Sequence, residues 1–592
     1  MAEEKSTLTL LKSPLSGDNS RHGPAIDDAA GMATYDGTLF DNPEFEHHEE
    51  TSNIQLFFDL FFVANLTSFT NAHEINSIPG SLSYLNEDSG QTFANPTQKA
   101  LSSYIGFFTV LWITWVQVTL YDVRFATDSV FERLAHACHF GVMVGLAVIG
   151  PQFNDPNADP VPWAVMQQLS LILMASRVVL ICQYGTTLFF VWRYRDSRKP
   201  IAAVVITLSV AVILYLGVSF AFYNETAHNA YIAWYVIGVV EVASNLFIAK
   251  FNDSISFQNT HLIERMTCLT LIILGEGIIG LTKTIAKIET LDFSFSPSAI
   301  GGIISATLII YFIYQLYFDN VRLEPFNSLR QLLWAGLHFP FHMALVLLME
   351  GINQMFVWSH IVEDLDTQIN NLLKIPDSDT SEQFWGAVNG TVNYVFNTFP
   401  SDEKTYLEVE DALDLLSSDA SATDDQAYSA VAQLMTGLGK VIFEGFGWEA
   451  PEAEGESEVS GNFDEIIDNF YQQYLNVFSI SFAYFCISAG VVLIGIGIFT
   501  YLSYKGDAHH RHRFTRYLGV IVTLLVGLGL TLLSTAVLTD ASQVLGNTPW
   551  TLPLLLFLLL ILLFVNHVPD GSGGRKHRKG SVEHIHLHNR EE

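Results

Sequence analysis

The sequence predicts an all-α integral membrane protein with about twelve transmembrane helices arranged in two six-helix parallel repeats. The first observation is the composition: only 15% of the 592 residues are charged and the mean hydropathy is +0.29, whereas soluble domains carry about 25% charged residues. The second is that apolar stretches of about 20 residues recur, each long enough to cross a bilayer core of roughly 30 Å. The third is a sequence similarity between the two halves of the chain.

The predicted spans are helices, because the apolar stretches are too long for barrel strands and lack a two-residue alternation. In chain order they are 54–72, 102–121, 131–150, 163–192, 201–222, 230–250, 262–282, 298–318, 331–350, 475–502, 515–537 and 549–567. The stretches 201–222 and 549–567 are the most clearly apolar, whereas 54–72 contains Asp59.

The remaining segments are polar. Residues 360–471 contain 24 Asp or Glu and three Lys, which predicts an acidic insertion with some short helices, and residues 1–52 have the composition of a disordered tail. The predicted domains are a cytoplasmic tail (1–52), a first transmembrane half (53–250), a second half in two parts (260–350 and 475–567), the extracytoplasmic insertion (351–474) and a basic, His-rich cytoplasmic tail (568–592).

Basic residues predict the orientation. The segments 192–199, 504–516 and 575–579 follow the fourth, tenth and twelfth spans, so all three lie inside if both termini are cytoplasmic. Glycosylation triplets that begin at Asn224 and Asn389 then lie outside, whereas the triplet at Asn252 lies inside and is expected to be unused. Outward glycosylation favours the plasma membrane over an organelle membrane.

The repeat is visible where the second span turns into the third and the eighth into the ninth. Both turns run Leu-Tyr, then Asp, then Val-Arg, and later His-Phe. The matching residues are Asp122 with Asp319, Arg124 with Arg322, and His139 with His338. The offset is six spans, an even number, so both halves share one orientation, as in transporters built from parallel repeats.

Ionisable residues inside the spans are the candidates for an ion or proton pathway, because each costs about 2.5–3.5 kcal/mol at a helix centre unless it is paired or faces a polar cavity. They are Asp59, Glu132, His136, His139, Arg177, Glu241, Glu264, Arg265, Glu276 and His338. Helical spacing puts Glu132, His136 and His139 on one face. We expect the deepest charges to face one shared interior, with Arg177 or Arg265 as the partner of Asp59.

Other interpretations of these residues remain open. The histidines can be structural hydrogen-bonding groups, and the charges can simply lock helices together. Glu132, His136 and His139 have a spacing that a metal could use, but no fourth ligand is apparent. The sequence predicts no metal site, no cofactor and no catalytic group.

Two stretches carry a family resemblance. QLFFDLFFVANLTSF (55–69) and ERMTCLTLIILGEGIIG (264–280) resemble the low-temperature-requirement A family, as does the turn after the second span. The resemblance covers roughly residues 50–350 and departs at Gln55, where the family has Glu. It implies a polytopic membrane protein and singles out Asp59, Glu264, Arg265 and Glu276, but it supplies no substrate.

Two functions fit these observations. One is a secondary transporter or ion pathway, possibly coupled to protons, that uses the intramembrane carboxylates, His and Arg. The alternative is a membrane sensor or assembly scaffold in which the buried charges are interhelical locks. An enzyme is not expected, since no nucleophile with a base and no phosphate-binding loop is found. The expected partners are the lipid bilayer, a small solute or ion and a protein at the acidic insertion, but no nucleic acid.

Overall fold

The structure is a computed structural model. It describes residues 8–15, 45, 51–72, 96–153, 163–223, 230–252, 255–258, 260–290, 296–320, 328–373, 381–401, 403–418, 424–448, 463–503, 510–535 and 548–567.

The described chain is built from α-helices, so the predicted all-helical class is confirmed. The helices are α1 (Asn53–Ala72), α2 (Pro96–Phe125), α3 (Val130–Ile149), α4 (Trp163–Val191), α5 (Arg195–Tyr223), α6 (Ile232–Phe251), α7 (Leu262–Thr290), α8 (Pro297–Phe318), α9 (Ser328–Leu373), α10 (Ser381–Thr398), α11 (Glu403–Ser418), α12 (Asp424–Phe446), α13 (Phe463–Leu502), α14 (His510–Leu533) and α15 (Thr551–His567).

Nine helices in the described part of the chain are long and apolar enough to cross a membrane: α2 to α9 and α13. Two shorter apolar helices lie within α14 and α15. Large apolar side chains point away from the bundle, among them Ile206, Ile213 and Leu525, each more than 60% exposed. Apolar surface of this extent suits contact with lipid rather than water, in agreement with a membrane protein.

Helices α1 and α7 lie side by side and run in the same direction. Gln55 contacts His261, Asp59 contacts Arg265, and Thr67 contacts Glu276, so residue numbers rise together along both helices. An odd number of crossings therefore lies between the two helices if every intervening span crosses, which agrees with the five helices α2 to α6. We call the end where α1 begins the tail side, and the opposite end the insertion side.

The same neighbours recur in the two halves of the chain. Helix α1 contacts α2 and α3, and then α3, α4, α5 and α6 contact one another in sequence, with α6 returning to α2. In the second half, α7 contacts α8 and α9, and then α9, α13, α14 and α15 follow in the same way, with α15 returning to α8.

The two halves differ in how deeply their second helix is buried. Within its apolar window α2 is 94% buried, but α8 is only 39% buried. Helix α2 contacts α1, α4, α6, α7 and α9, so it forms the centre of the bundle. Its aromatic side chains Trp112, Trp115 and Tyr121 are all buried.

Helix α9 differs from its prediction. It does not end near residue 350 but continues without a break to Leu373, and its 46 residues correspond to about 69 Å at 1.5 Å per residue. Helix α13 likewise begins at Phe463, well before the predicted span at 475. Both helices thus extend beyond a bilayer core of roughly 30 Å. Helix α9 contacts the insertion helices α10 and α12, and α13 contacts α12.

Candidate functional site

Asp59 of α1 and Arg265 of α7 form a fully buried ion pair at the centre of the bundle. Two guanidinium nitrogens of Arg265 donate to the two carboxylate oxygens of Asp59 at 2.7 and 2.8 Å. Trp115 Nε1 of α2 donates to Asp59 at 2.7 Å, and the guanidinium of Arg265 lies 5.7 Å from the Trp115 ring centre. This bidentate pair with an added donor satisfies most of the polar atoms that burial would otherwise leave unpaired.

A second buried pair joins α4 to α6. Arg177 donates to Glu241 through Nε at 3.2 Å and Nη2 at 3.0 Å, and Arg177 Nη1 donates to Thr114 of α2 at 3.1 Å. The guanidinium lies 5.2 Å from the ring centre of Tyr215 on α5. Arg177 is therefore the partner of Glu241 and not of Asp59, and Arg265 is the one of the two predicted partners that Asp59 contacts.

Glu132 lies in a network of neutral hydrogen-bond donors near the tail side. Tyr121 Oη donates to Glu132 at 2.6 Å, and Gln183 Nε2 donates to its other carboxylate oxygen at 2.9 Å. Gln183 Oε1 in turn lies 2.8 Å from His139 Nε2, whereas His139 Nδ1 has no hydrogen-bond partner among the described residues. The network thus joins an acid to an imidazole through one amide.

The two turns that the sequence predicts to be repeated have different surroundings in the structure. Asp122 is buried and lies 3.3 Å from His136 Nε2, whereas Asp319 is about half exposed and lies 3.0 Å from His567 Nε2 of α15. Arg322 lies outside the described residues.

Arg124, which the sequence matches with Arg322, stabilises the tail-side end of α2. It donates to Tyr184 Oη at 2.7 Å, to Asn245 at 3.0 Å and to the carbonyl of Ile255 at 3.3 Å. Its guanidinium also lies 4.4 Å from the ring centre of Phe257. Arg124 therefore ties α2, α4 and α6 together, which favours a structural role for this residue.

His338 is in an aromatic setting. Its Nε2 lies 2.8 Å from Tyr317 Oη, and its ring stacks on Phe499 of α13 at 4.2 Å. One turn on, His342 lies within hydrogen-bond distance of Thr270 at 2.9 Å and Trp112 Nε1 at 3.1 Å. Pro340 lies between these two histidines, and α9 continues through it without a break.

Glu276 faces a cavity in the insertion-side half of the bundle. Thr67 donates to its carboxylate at 2.7 Å, and no Lys, Arg or His among the described residues lies within ion-pair distance of it. The cavity measures about 30 Å³ and is also lined by Glu350, Asn353 and Tyr104. This volume is enough for a water molecule, and two carboxylates line the same small space.

The tail-side end of α7 holds the other residues that the family resemblance singled out. Glu264 is half-buried and accepts a hydrogen bond from Thr51 at 3.3 Å. Gln55 Oε1 lies 3.1 Å from His261 Nε2, so this amide occupies the position where the family has a carboxylate.

The deep charges form four local groups: the Asp59–Arg265 pair, the Arg177–Glu241 pair, the Glu132 network and the Glu276 cavity. Of the glycosylation candidates, Asn389 is exposed on α10, and Asn224 lies outside the described residues. Within the same described residues, no group of three or more His, Cys, Asp or Glu is arranged to hold a metal.

Three interacting residues escaped the sequence prediction. Glu350 is the last residue of a predicted span, where a charged residue is expected to reach water. Helix α9 continues past this position, however, and Glu350 is only 7% exposed. Gln183 and Trp115 are uncharged, so a search for ionisable groups passes over them. A search for every hydrogen-bonding side chain within an apolar stretch would have found both.

Together these features define a multi-span helical membrane protein with paired and unpaired charges in its interior. A sequence model described as bacterial low temperature requirement A protein (LtrA) matches residues 50–371, which is more than half of the chain, so this protein belongs to the LtrA family. No curated protein and no solved structure matches the chain.

Proposed function

We propose that this protein is a secondary transporter or ion pathway, coupled to protons, in which Glu276 is the carboxylate that exchanges a proton or cation. The observation that carries the proposal is the contrast between Glu276 and the other deep acids. Asp59 and Glu241 are each held by an arginine, but Glu276 accepts from a threonine and faces a cavity that Glu350 also lines. An acid without a fixed counter-ion inside a membrane is typical of proton and ion pathways.

The proposed architecture is twelve spans in two parallel six-helix repeats. Support comes from the recurring order of neighbours in the two halves and from the parallel course of α1 and α7. The count of twelve adds α1, α14 and α15 to the nine helices that meet the criteria of length and apolarity. Two halves of this kind suit alternating access, in which one half moves against the other.

The proposed orientation has both termini in the cytoplasm and the acidic insertion outside, in the plasma membrane. The basic segments after the fourth, tenth and twelfth spans support it. Glycosylation at Asn224 and Asn389 belongs to the same proposal. The expected partners remain a small solute or ion and a protein at the insertion, with no enzymatic activity and no nucleic acid.

Proton flux into liposomes that contain the purified protein and an enclosed pH-sensitive dye tests the proposal. We expect flux in the wild type under an imposed pH gradient and a loss of flux in Glu276→Gln, since the amide keeps the shape but cannot exchange a proton. Glu289→Gln is the matched control, because Glu289 is an exposed residue on the same helix. Equal flux in wild type and Glu276→Gln contradicts the role of Glu276.

A second function is favoured by a different observation. The Asp59–Arg265 and Arg177–Glu241 pairs each join two helices and make further hydrogen bonds to side chains of α2, as expected of interhelical locks in a sensor or assembly scaffold. In that case Glu276→Gln leaves function and assembly intact, and loss of the insertion removes a binding partner.

A further inference from the structure

A short segment before the first helix is folded onto the tail side of the bundle. The N–H of Val130 donates to the carbonyl of Thr9, and the N–H of Phe131 donates to the carbonyl of Leu10, both at 3.1 Å. Thr127 Oγ1 donates to the carbonyl of Lys12 at 3.5 Å. Val130 and Phe131 open helix α3, where the first N–H groups have no acceptor within the helix. The segment 8–15 supplies acceptors to two of them.

The far end of the segment is anchored by apolar contacts. Pro14 and Leu15 are buried, and Leu15 pairs with Phe45 in an isolated antiparallel bridge. The ring of Phe45 packs edge-on against Phe125, the last residue of α2, at 5.1 Å. Leu10, by contrast, is 72% exposed. The attachment therefore depends on Leu15 and not on the apolar residues at the start of the segment.

Beneath the segment lies the network of Glu132. A narrow cavity of about 10 Å³ is lined on one side by Leu11, Lys12 and Pro14, and on the other by residues that include Tyr121 and Glu132. Glu132 is only 6% exposed, although it lies in the first turn of α3, next to the tail-side surface. The segment lies over the side of the network that faces the tail-side surface.

We propose that residues 8–15 are a removable seal that closes the tail-side entrance to the Glu132–Gln183–His139 network. A few main-chain hydrogen bonds and one anchored leucine hold the segment, so it can detach while the helix bundle stays folded. Detachment exposes Glu132 and Tyr121 to water on the tail side, and attachment isolates them. The idea that the seal controls transport rests on the proposed function. The existence of the seal can be tested independently of that function.

The test is the labelling of a cysteine placed under the seal. Thr187 is buried and lines the same cavity, so Thr187→Cys is introduced after Cys138, Cys182 and Cys268 are changed to alanine, and a small charged thiol reagent is applied to protein in detergent. We expect Leu15→Asp, or removal of residues 1–20, to raise the labelling rate at least about tenfold, because the cysteine no longer requires a local opening to react. The thermal stability of the bundle should not change.

Leu10→Asp is the matched control, because it adds the same charge to the same segment at an exposed position. Lys250→Cys, at the exposed tail-side end of α6, reports the reactivity of an uncovered site. Its labelling rate should be the same in all variants. An unchanged labelling rate at Thr187→Cys in Leu15→Asp and in the truncated protein overturns the seal. So does an equal increase in Leu10→Asp.

Flux measured on the same variants separates the two proposals. Faster labelling together with faster proton flux supports both the seal and its control of the pathway. Faster labelling with no flux in any variant keeps the seal and counts against the proposed function.

Discussion

At the scale of single residues, the interior charges divide by the kind of partner they have. Asp59 and Glu241 contact guanidinium groups, whereas Glu132 and Glu276 accept hydrogen bonds from neutral side chains. A buried acid beside an arginine is stabilised in its charged, deprotonated form, so it does not readily take up a proton. The acids with neutral donors are therefore better suited to exchange, and the paired acids to holding helices together.

The Asp59–Arg265 pair gives the first stability prediction. Asp59→Asn leaves the guanidinium of Arg265 buried without a counter-charge, so we expect a loss of about 3–5 kcal/mol of unfolding free energy. Thermal unfolding in detergent, followed by loss of helical signal, measures the effect.

Asp128→Asn is the control for that prediction, since it breaks an ion pair with Arg133 in which both side chains are more than half exposed. Exposed pairs contribute about 0–1 kcal/mol, so the midpoint temperature should hardly move. A similarly small change in Asp59→Asn would mean that Asp59 is protonated in the folded protein, contrary to its assignment as a lock.

The sequence could identify the deep charges but could not assign all their partners. Arg177 and Arg265 were equal candidates for Asp59, because helical spacing fixes the face of a residue but not which helix packs against it. The local grouping was not predicted for the same reason: the α1–α7 pair contacts Trp115 and the α4–α6 pair contacts Thr114, both on the central helix α2.

At the scale of helices, the crossing of α13 and α14 depends on glycine. A Cβ at Gly490 would come within 2.5 Å of the carbonyl oxygen of Gly527, and a Cβ at Gly527 within 2.8 Å of that of Gly490. The two backbones are thus in direct contact, as in small-residue crossings of membrane helices. Because the obstacle is backbone, no side-chain rearrangement can accommodate an added methyl group.

Gly490→Ala should consequently separate α13 from α14. We expect a loss of about 1–3 kcal/mol, the usual cost of overpacking, detected as a lower midpoint of thermal unfolding in detergent. Gly529→Ala is the matched control, because Gly529 is also in α14 and a Cβ there meets nothing within 4 Å. The glycine-dependent crossing is disproved if both substitutions lower the midpoint equally.

Helix boundaries were the part of each element that the sequence predicted least well. The predicted span within α9 ends at residue 350, but the helix continues for more than six turns through a mixture of apolar and polar residues to Leu373. It continues because Trp358 packs against Phe443, Trp448 and Phe478, with ring centres 5.9, 5.1 and 4.9 Å away. Those partners lie about 85 to 120 positions further on, so local hydropathy gives no sign of the contact.

At the scale of the whole molecule, the insertion is a helical unit fixed to the bundle by two helices that leave it together, α9 and α13. Its helices α10 and α12 pack on α9, and α11 packs on α12. The predicted short helices in this region are therefore present, and they are held together by a buried aromatic cluster rather than by disulfides. A unit attached in this way projects from one side of the membrane only. Once that side is known, the side on which every other segment lies follows.

Glycosylation can establish that sidedness. If the insertion is outside, Asn389, exposed on α10, lies where the modifying enzyme acts, whereas Asn252, at the tail-side end of α6, is out of its reach. Protein made in a eukaryotic secretory membrane should therefore run faster on a denaturing gel after glycosidase treatment. Asn389→Gln should remove part of that shift and Asn224→Gln the rest, while Asn252→Gln, the matched control, should leave it unchanged.

A shift that depends on Asn252 instead would mean that the bundle has the opposite orientation, with the acidic insertion in the cytoplasm. The seal formed by residues 8–15 would then face the outside.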